Sequence, residues 1–182
     1  NHYDPKTLKL DHFLRTMAAR WGVDHLPDDL VAALAPIYMR AIQAHVYPMD
    51  GAADTLRALR DRRLRIGLIS NTIWPGSAHL EDLERHGLAP YIEHMIFSAD
   101  VETWKPYQAV FQLGLSALNL KPEETIFVGD ALYHDIWGAQ QAGLRGVWIE
   151  HERTWVPEDV TVTPDATIRR LPELLDIVTG WQ

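Results

Sequence analysis

Gly129-Asp130-Ala131-Leu132-Tyr133-His134-Asp135-Ile136-Trp137-Gly138-Ala139 follows the apolar run Ile126-Phe127-Val128. An apolar run closed by glycine, then two acids leading into a helical pattern, reads as a buried strand, a tight turn and a helix start. Asp130 falls at the strand end, and the turn can bring Asp135 back toward the same crevice. Gly129 permits the close backbone approach this requires. With one more carboxylate, and with water and a substrate phosphate completing the shell, the two acids suit Mg²⁺, a hard cation that typically accepts one or two protein carboxylates. The same residues also suit a simpler use, with Asp135 capping the helix and Asp130 making the turn. On this segment alone both readings stand.

On either side, short β-type runs alternate with amphipathic helices. The runs are Arg65 to Ser70, His94 to Ser98, Thr125 to Gly129 and Gly146 to Glu150. The spacing predicts helices over Ala52 to Arg62, Ser77 to His86, Tyr107 to Leu118 and Asp135 to Ala142, with Gly87 and Gly143 as stops and a last helix around Leu171 to Val178. This is the pattern of an α/β fold, a parallel sheet sandwiched by helices. Its strands are continuous apolar runs, as expected when both faces are buried. Before residue 48 the period is helical throughout. Leu10, Leu14, Met17 and Trp21 form one stripe that stops at Gly22. Asp28 is expected to cap a second helix through Leu30, Leu34, Tyr38 and Ile42, which Pro36 is placed to kink or divide.

In a parallel α/β sheet the ligand crevice lies beyond the C-terminal strand ends. Three groups fall there: Ser70-Asn71-Thr72, Lys105 after the loop that begins at Ser98, and the Asp130/Asp135 pair. Hydroxyl, amide and backbone N–H groups at Ser70 and Asn71 can hold phosphate oxygens, although Ser-Asn-Thr after a strand is also ordinary turn chemistry. Lys105 can neutralise a phosphoryl group, although a lone lysine is commonly a solvated surface group. Trp104 reads as core or rim packing.

The chain has 182 residues, 47% of them hydrophobic, a formal charge of -8 and no cysteine. Disulfides, zinc thiolates and cysteine nucleophiles are therefore excluded within these residues. The negative charge and scattered basic residues oppose nucleic-acid binding. No apolar run approaches the roughly 20 residues that span a bilayer, so neither nucleic acid nor membrane is an expected partner, and a cytoplasmic location is expected. The oligomeric state is not legible here.

The ordered set Ile69-Ser70-Asn71-Thr72, Lys105-Pro106 and Gly129-Asp130 through Asp135-Ile-Trp-Gly-Ala resembles the second, third and fourth motifs of the haloacid dehalogenase superfamily. The resemblance extends over residues 46 to 150, and residues 7 to 46 resemble the small helical cap of the subgroup with a C1-type cap. It implies a Rossmann-like core over 48–182 and a cap over 1–47, with hinges near 1–6 and 46–51. The superfamily's first motif, a strand ending in Asp-x-Asp-x-Thr that supplies the nucleophile and the general acid/base, has no match. Asp11-His12-Phe13 has the wrong second partner and lies too close to the cap helices. The resemblance places the absent strand between those ending at Ser70 and Asp130. Omitting a central strand exposes two edges, so about 20 to 30 further residues, a strand plus its entry loop, are expected before Asn1. Ala131 and His134 stand where the fourth motif often has Ser and Asn. His134 reads as a surface histidine or a second-layer donor, and His79, His86 and His151 as ordinary surface residues.

By resemblance the activity is Mg²⁺-dependent hydrolysis of a small phosphorylated metabolite through an aspartyl-phosphate intermediate. Lys105 and Ser70 would be catalytic, Ser70, Asn71 and Lys105 would bind phosphate, and Asp130 and Asp135 would hold the metal. A 2-haloacid dehalogenase, which needs no metal, is the nearest alternative. Its haloacid carboxylate would be repelled by the two acids of the fourth motif. A non-catalytic binding module is the reading if the nucleophile is lacking. Trp21, Tyr38, Met39 and His45 could face the pocket from the cap, although such helical positions also serve as core.

Overall fold

The computed structural model describes residues 9–152 and 154–181; the predicted hinge at 1–6 lies outside them. The helical N-terminal part is a hairpin of α1 (Leu10–Arg20) and α2 (Asp28–Gln43). Arg15, midway along α1, ties it to the start of α2, donating to the Leu26 carbonyl and pairing with Asp28. Asp28 is therefore not the cap. Pro27 holds that position, and Asp28 lies in the first turn, where a negative charge favours the helix N-terminus. The helix runs through Pro36 without dividing. Trp21 leaves the apolar stripe because it follows the last helical residue, and it is 83% exposed.

From residue 52 the order is α3 (Ala52–Asp61), β1 (Gly67–Ser70), α4 (Gly76–Arg85), β2 (His94–Phe97), α5 (Gln108–Ala117), β3 (Ile126–Gly129), a π-helical turn (Leu132–Trp137), α6 (Gly138–Gln141), β4 (Arg145–Ile149), β5 (Ala166–Ile168) and α7 (Leu174–Gly180). All the strand pairs are parallel, as the alternation predicts. Gly87 and Gly143 end α4 and α6 in the left-handed conformation, with φ of 68° and 85°. That region is nearly free of steric cost only for glycine. The helix expected from Asp135 starts instead as the π-helical turn. β5, three residues long after an irregular stretch, is too short to show a period.

The strands do not form one sheet. β1 pairs with β2 and β3 pairs with β4, which pairs with β5, and among the described residues no ladder joins β1 to β3. Between them lies a slot of about 960 Å³, walled by Leu68 and Ile69 on one side and Phe127 and Val128 on the other. The predicted burial of every strand therefore holds for β4, where Val147 is fully buried, but β1 and β3 are only half-buried because each borders the slot. Helices span it on both faces. One cluster joins Leu59 of α3 to Val147, Ile149, Ile168, Leu174 and Val178. The other joins Ile96, Val110, Phe111 and Leu115 to Ala139 and Leu144. Phe111 of α5 also meets Phe127 of β3 edge-on, with ring centroids 5.1 Å apart. Thr55 of α3, 3% exposed, faces the slot, and its hydroxyl has no hydrogen-bond partner among the described residues. No helix among these residues is long and apolar enough to cross a membrane.

Candidate active site

Contacts through Lys105, which reaches Asn71 after β1 and Asp135 after β3, bring the C-terminal ends of β1 and β3 to the same end of the slot. Asp135, 3% exposed, is held there by the backbone geometry of the turn. Its Oδ2 accepts the Ala131 N–H at 3.0 Å, and its own N–H donates to the Ala131 carbonyl at 2.8 Å. Gly129 makes room for it, since a Cβ at that position would lie 2.5 Å from Asp135 Cγ. Asp135 is therefore not the helix cap expected in the sequence: Ala131 holds that position, and Asp135 lies inside the turn with Oδ2 reaching back to the Ala131 N–H. Oδ1 does something else: it meets Lys105 Nζ at 2.7 Å, in a pair whose side chains are 5% and 11% exposed. The Lys105 ammonium also lies 5.2 Å from the centre of the Phe127 ring, whose negative face favours a cation.

Lys105 is placed from both sides. The Asn71 amide donates from Nδ2 to the Lys105 carbonyl and accepts the Lys105 N–H at Oδ1, both at 2.8 Å. Opposite, Gly138 packs against Pro106, where a Cβ would come 2.8 Å from the proline Cα. The Lys105-Pro106 peptide is cis, and α5 begins at Gln108, two residues beyond Pro106. Pro106 is therefore not in the first turn of α5, because the loop turns once more, with the Tyr107 N–H on the Trp104 carbonyl, before the helix starts. Trp104 is buried and packs edge-on against Tyr107.

Asp130, next to this pair, is exposed, and its main-chain carbonyl accepts the Trp148 indole N–H at 2.9 Å. Ser70 ends β1, and its carbonyl accepts the Ser98 N–H at 2.9 Å. Structure thus brings Ser70, Asn71, Lys105, Asp130 and Asp135 to one end of the fold. Asn71, expected to bind phosphate, has its amide on the Lys105 main chain. The donor set fits Mg²⁺, since Asp130 and Asp135 offer only oxygen. Among the described residues no group of three or more His, Cys, Asp or Glu side chains is placed to hold a metal, so the further carboxylate expected beside Asp130 and Asp135 is not found among them.

Sequence reasoning passed over several residues that shape the site. The buried Ser98 Oγ accepts the Thr72 N–H at 2.8 Å and donates to the Thr72 carbonyl at 3.0 Å, bracing the loop after β1. Asp100 accepts the Gly76 N–H at the start of α4. His79 is not a surface histidine. Half-buried, it stacks 5.1 Å from Phe97 and 6.0 Å from Trp74, and its Nε2 lies 2.6 Å from Thr72 Oγ1. Trp74 in turn touches Tyr38 of α2, which touches Phe13 of α1. His134 is likewise half-buried, among Tyr133 and Trp155. His86, expected at the surface, is half-buried as well and bonds the Val46 carbonyl.

Burial pushes the His79 imidazole below its ordinary pKa, with the Asp82 and Asp100 carboxylates pulling the other way. A folded state that disfavours the protonated ring binds fewer protons than the unfolded chain. Stability is then full above the unfolded histidine pKa of about 6.5 and is lost as the pH falls below it toward the depressed folded value. His134 is lowered too, first by burial. We expect His79→Gln to flatten part of the fall in urea midpoint between about pH 7.5 and 5.5. Parallel curves for the two proteins would dismiss His79 as a source.

The strand-end carboxylates and the buried lysine gather at the C-terminal strand ends of a parallel α/β protein. Residues 7–149 match the model of the haloacid dehalogenase-like hydrolase family. The chain belongs to that family. It is 32% identical over 151 residues to the glyceraldehyde 3-phosphate phosphatase of Pyrococcus furiosus, covering 81% of this chain and 61% of that protein. It is 28% identical over 157 residues to the pyrophosphatase PpaX of Halalkalibacterium halodurans, covering 84% and 72%. Among solved structures, the haloacid dehalogenase phosphatase of Thermococcus onnurineus superposes with a TM-score of 0.65 at 26% identity, covering 91% of this chain and 70% of that one.

Proposed function

We propose that the protein is a Mg²⁺-dependent phosphatase that hydrolyses a small phosphate monoester through an aspartyl-phosphate intermediate. The observation that carries this is the Lys105–Asp135 pair beside the exposed Asp130 at the end of the slot. Two carboxylates and one ammonium leave a net negative charge, and a phosphate dianion adds to it. A bound cation relieves that repulsion, and the paired acids suit a haloacid carboxylate poorly. When bound, Mg²⁺ supplies positive charge against the phosphoryl oxygens. Asp130 and Asp135 would hold it, Ser70 would donate its hydroxyl to a phosphoryl oxygen, and the Lys105 ammonium would offset charge gathering in the transition state.

The nucleophilic aspartate is proposed to come on a further strand seated in the slot between β1 and β3. Both bordering strands have a free edge there among the described residues, and the unpartnered Thr55 hydroxyl would gain an acceptor from such a strand. The helical hairpin is proposed to act as a cap over residues 1–47 that closes on substrate, bending near 46–51. The relatives are named for different phosphate compounds, so a small phosphorylated metabolite is as far as the substrate is proposed.

The test is hydrolysis of p-nitrophenyl phosphate and of 2-chloropropionate by the full-length protein, with Mg²⁺ and with chelator. Phosphate release that needs Mg²⁺ supports the proposal. Metal-independent chloride release replaces it with a dehalogenase, and silence in both replaces it with a binding module. Asp130→Asn is expected to cut phosphate release by at least about 100-fold, as for loss of a major electrostatic group, while stability, at this exposed position, stays within about 0.5 kcal/mol. Full activity in Asp130→Asn would refute the metal assignment.

A further inference from the structure

We propose that Asn71 is a positioning residue for Lys105: its side-chain amide fixes the Lys105 main chain, and through it the place of the ammonium, and does not bind phosphate. This rests on the phosphatase reading for its catalytic consequence, but not for its geometry. One amide takes both polar groups of the Lys105 backbone, donating to the carbonyl and accepting the N–H, each at 2.8 Å. A neighbouring strand would bond a residue in the same way, yet Lys105 lies in a loop between β2 and α5. Asn71 immediately follows the last residue of β1, so the clamp fastens the Lys105 loop to the strand that carries Ser70.

The other constraints on Lys105 depend on this one. Gly138 holds Pro106 from the far side. The ammonium must then reach Asp135 Oδ1 at 2.7 Å while lying over Phe127. A long flexible side chain reaches a fixed partner reproducibly only if its own backbone is fixed, because the stem has several rotors to place. Asn71 fixes it. The clamp also spends Oδ1 and one N–H of the amide on protein, leaving little for an anion.

Two measurements separate this role from phosphate binding. The first is acylation of Lys105 by a dilute amine-reactive anhydride, followed by peptide mass spectrometry, with exposed Lys121 as internal reference. We expect Asn71→Ala to label Lys105 several-fold faster than the parent protein, with Lys121 unchanged, because the loosened loop frees an amine now 11% exposed. Asn71→Asp, which keeps the acceptor but sets a carboxylate against the Lys105 carbonyl, should label at an intermediate rate and covers the case in which alanine at 71 does not fold. Unchanged labelling in both would overturn the proposal.

The second is steady-state hydrolysis of p-nitrophenyl phosphate by the full-length protein. Displacing a catalytic group costs on the order of 10- to 100-fold in rate, so kcat should fall by that much in Asn71→Ala, with KM and inhibition by inorganic phosphate little changed. In a Lys105→Met background the same substitution should cost nothing further, because residues that act as a unit are not additive. Independent losses, or weakened inhibition by phosphate, would make Asn71 a phosphate ligand and overturn the positioning role. If Lys105 labelling rises but the parent protein hydrolyses no phosphate ester, the clamp stands and the phosphatase reading is the one that fails.

Discussion

Replacing Lys105 with methionine will lower the stability of the protein by about 3–5 kcal/mol, the cost of stranding one charge of a buried pair. Asp135 is 3% exposed, with Oδ1 on the ammonium and Oδ2 on a backbone N–H. Methionine fills much of the space left by the lysine stem but leaves that carboxylate without its counter-charge. Asparagine at 135 removes the orphaned charge and can still accept the Ala131 N–H. The double variant, Lys105→Met with Asp135→Asn, should therefore recover most of the loss, since uncharged replacements of buried pairs are often close to neutral. Guanidinium unfolding of the two singles and the double measures this. Were the double as unstable as Lys105→Met alone, shape and not charge would be the cause.

Gly129→Ala should cost about 2–3 kcal/mol, the upper part of the range for overpacking a tight site, and should weaken the Lys105–Asp135 pair as well. The added methyl would lie 2.5 Å from both Cβ and Cγ of Asp135. A flexible tip could swing aside, but a Cβ is fixed to its backbone, so the turn itself has to move. Gly180→Ala, at a position with open space around it, is the matched control and should change little. A thermal midpoint for Gly129→Ala equal to that of the control would mean that the turn absorbs the methyl without strain.

Most of the strand and helix order is legible in the sequence because apolar runs of period two or less, punctuated by Gly and Pro, alternate with helical stripes. The polar residues at the strand ends are legible for the same reason, since topology brings them together whatever their partners. The partners themselves are not legible. That Asp135 meets Lys105, and that the Asn71 amide bonds Lys105, follows from loop paths between distant segments, which no local period encodes. His79 looked like a surface residue because its burial comes from Trp74 and Phe97 on other elements. β5 is hidden by its length, and Trp21 misleads because a residue just past a helix end no longer follows the stripe. No property of the residues that border the slot marks the separation of β1 from β3; only the missing first motif of the resemblance points to it.

That separation has a mechanical meaning. With no main-chain ladder from β1 to β3 among the described residues, the two half-sheets are linked by side-chain contacts such as Phe111 on Phe127. Dispersion contacts of this kind tolerate small sliding, whereas a hydrogen-bonded register shifts only in whole steps. Among the described residues the slot is thus a seam along which the half-sheets can slide, a freedom that a strand seated there would remove. Ser70 rides on one half-sheet and Asp130 on the other, so shear along the seam alters the span between hydroxyl and carboxylate, and the Asn71 and Lys105–Asp135 contacts are the straps that cross it.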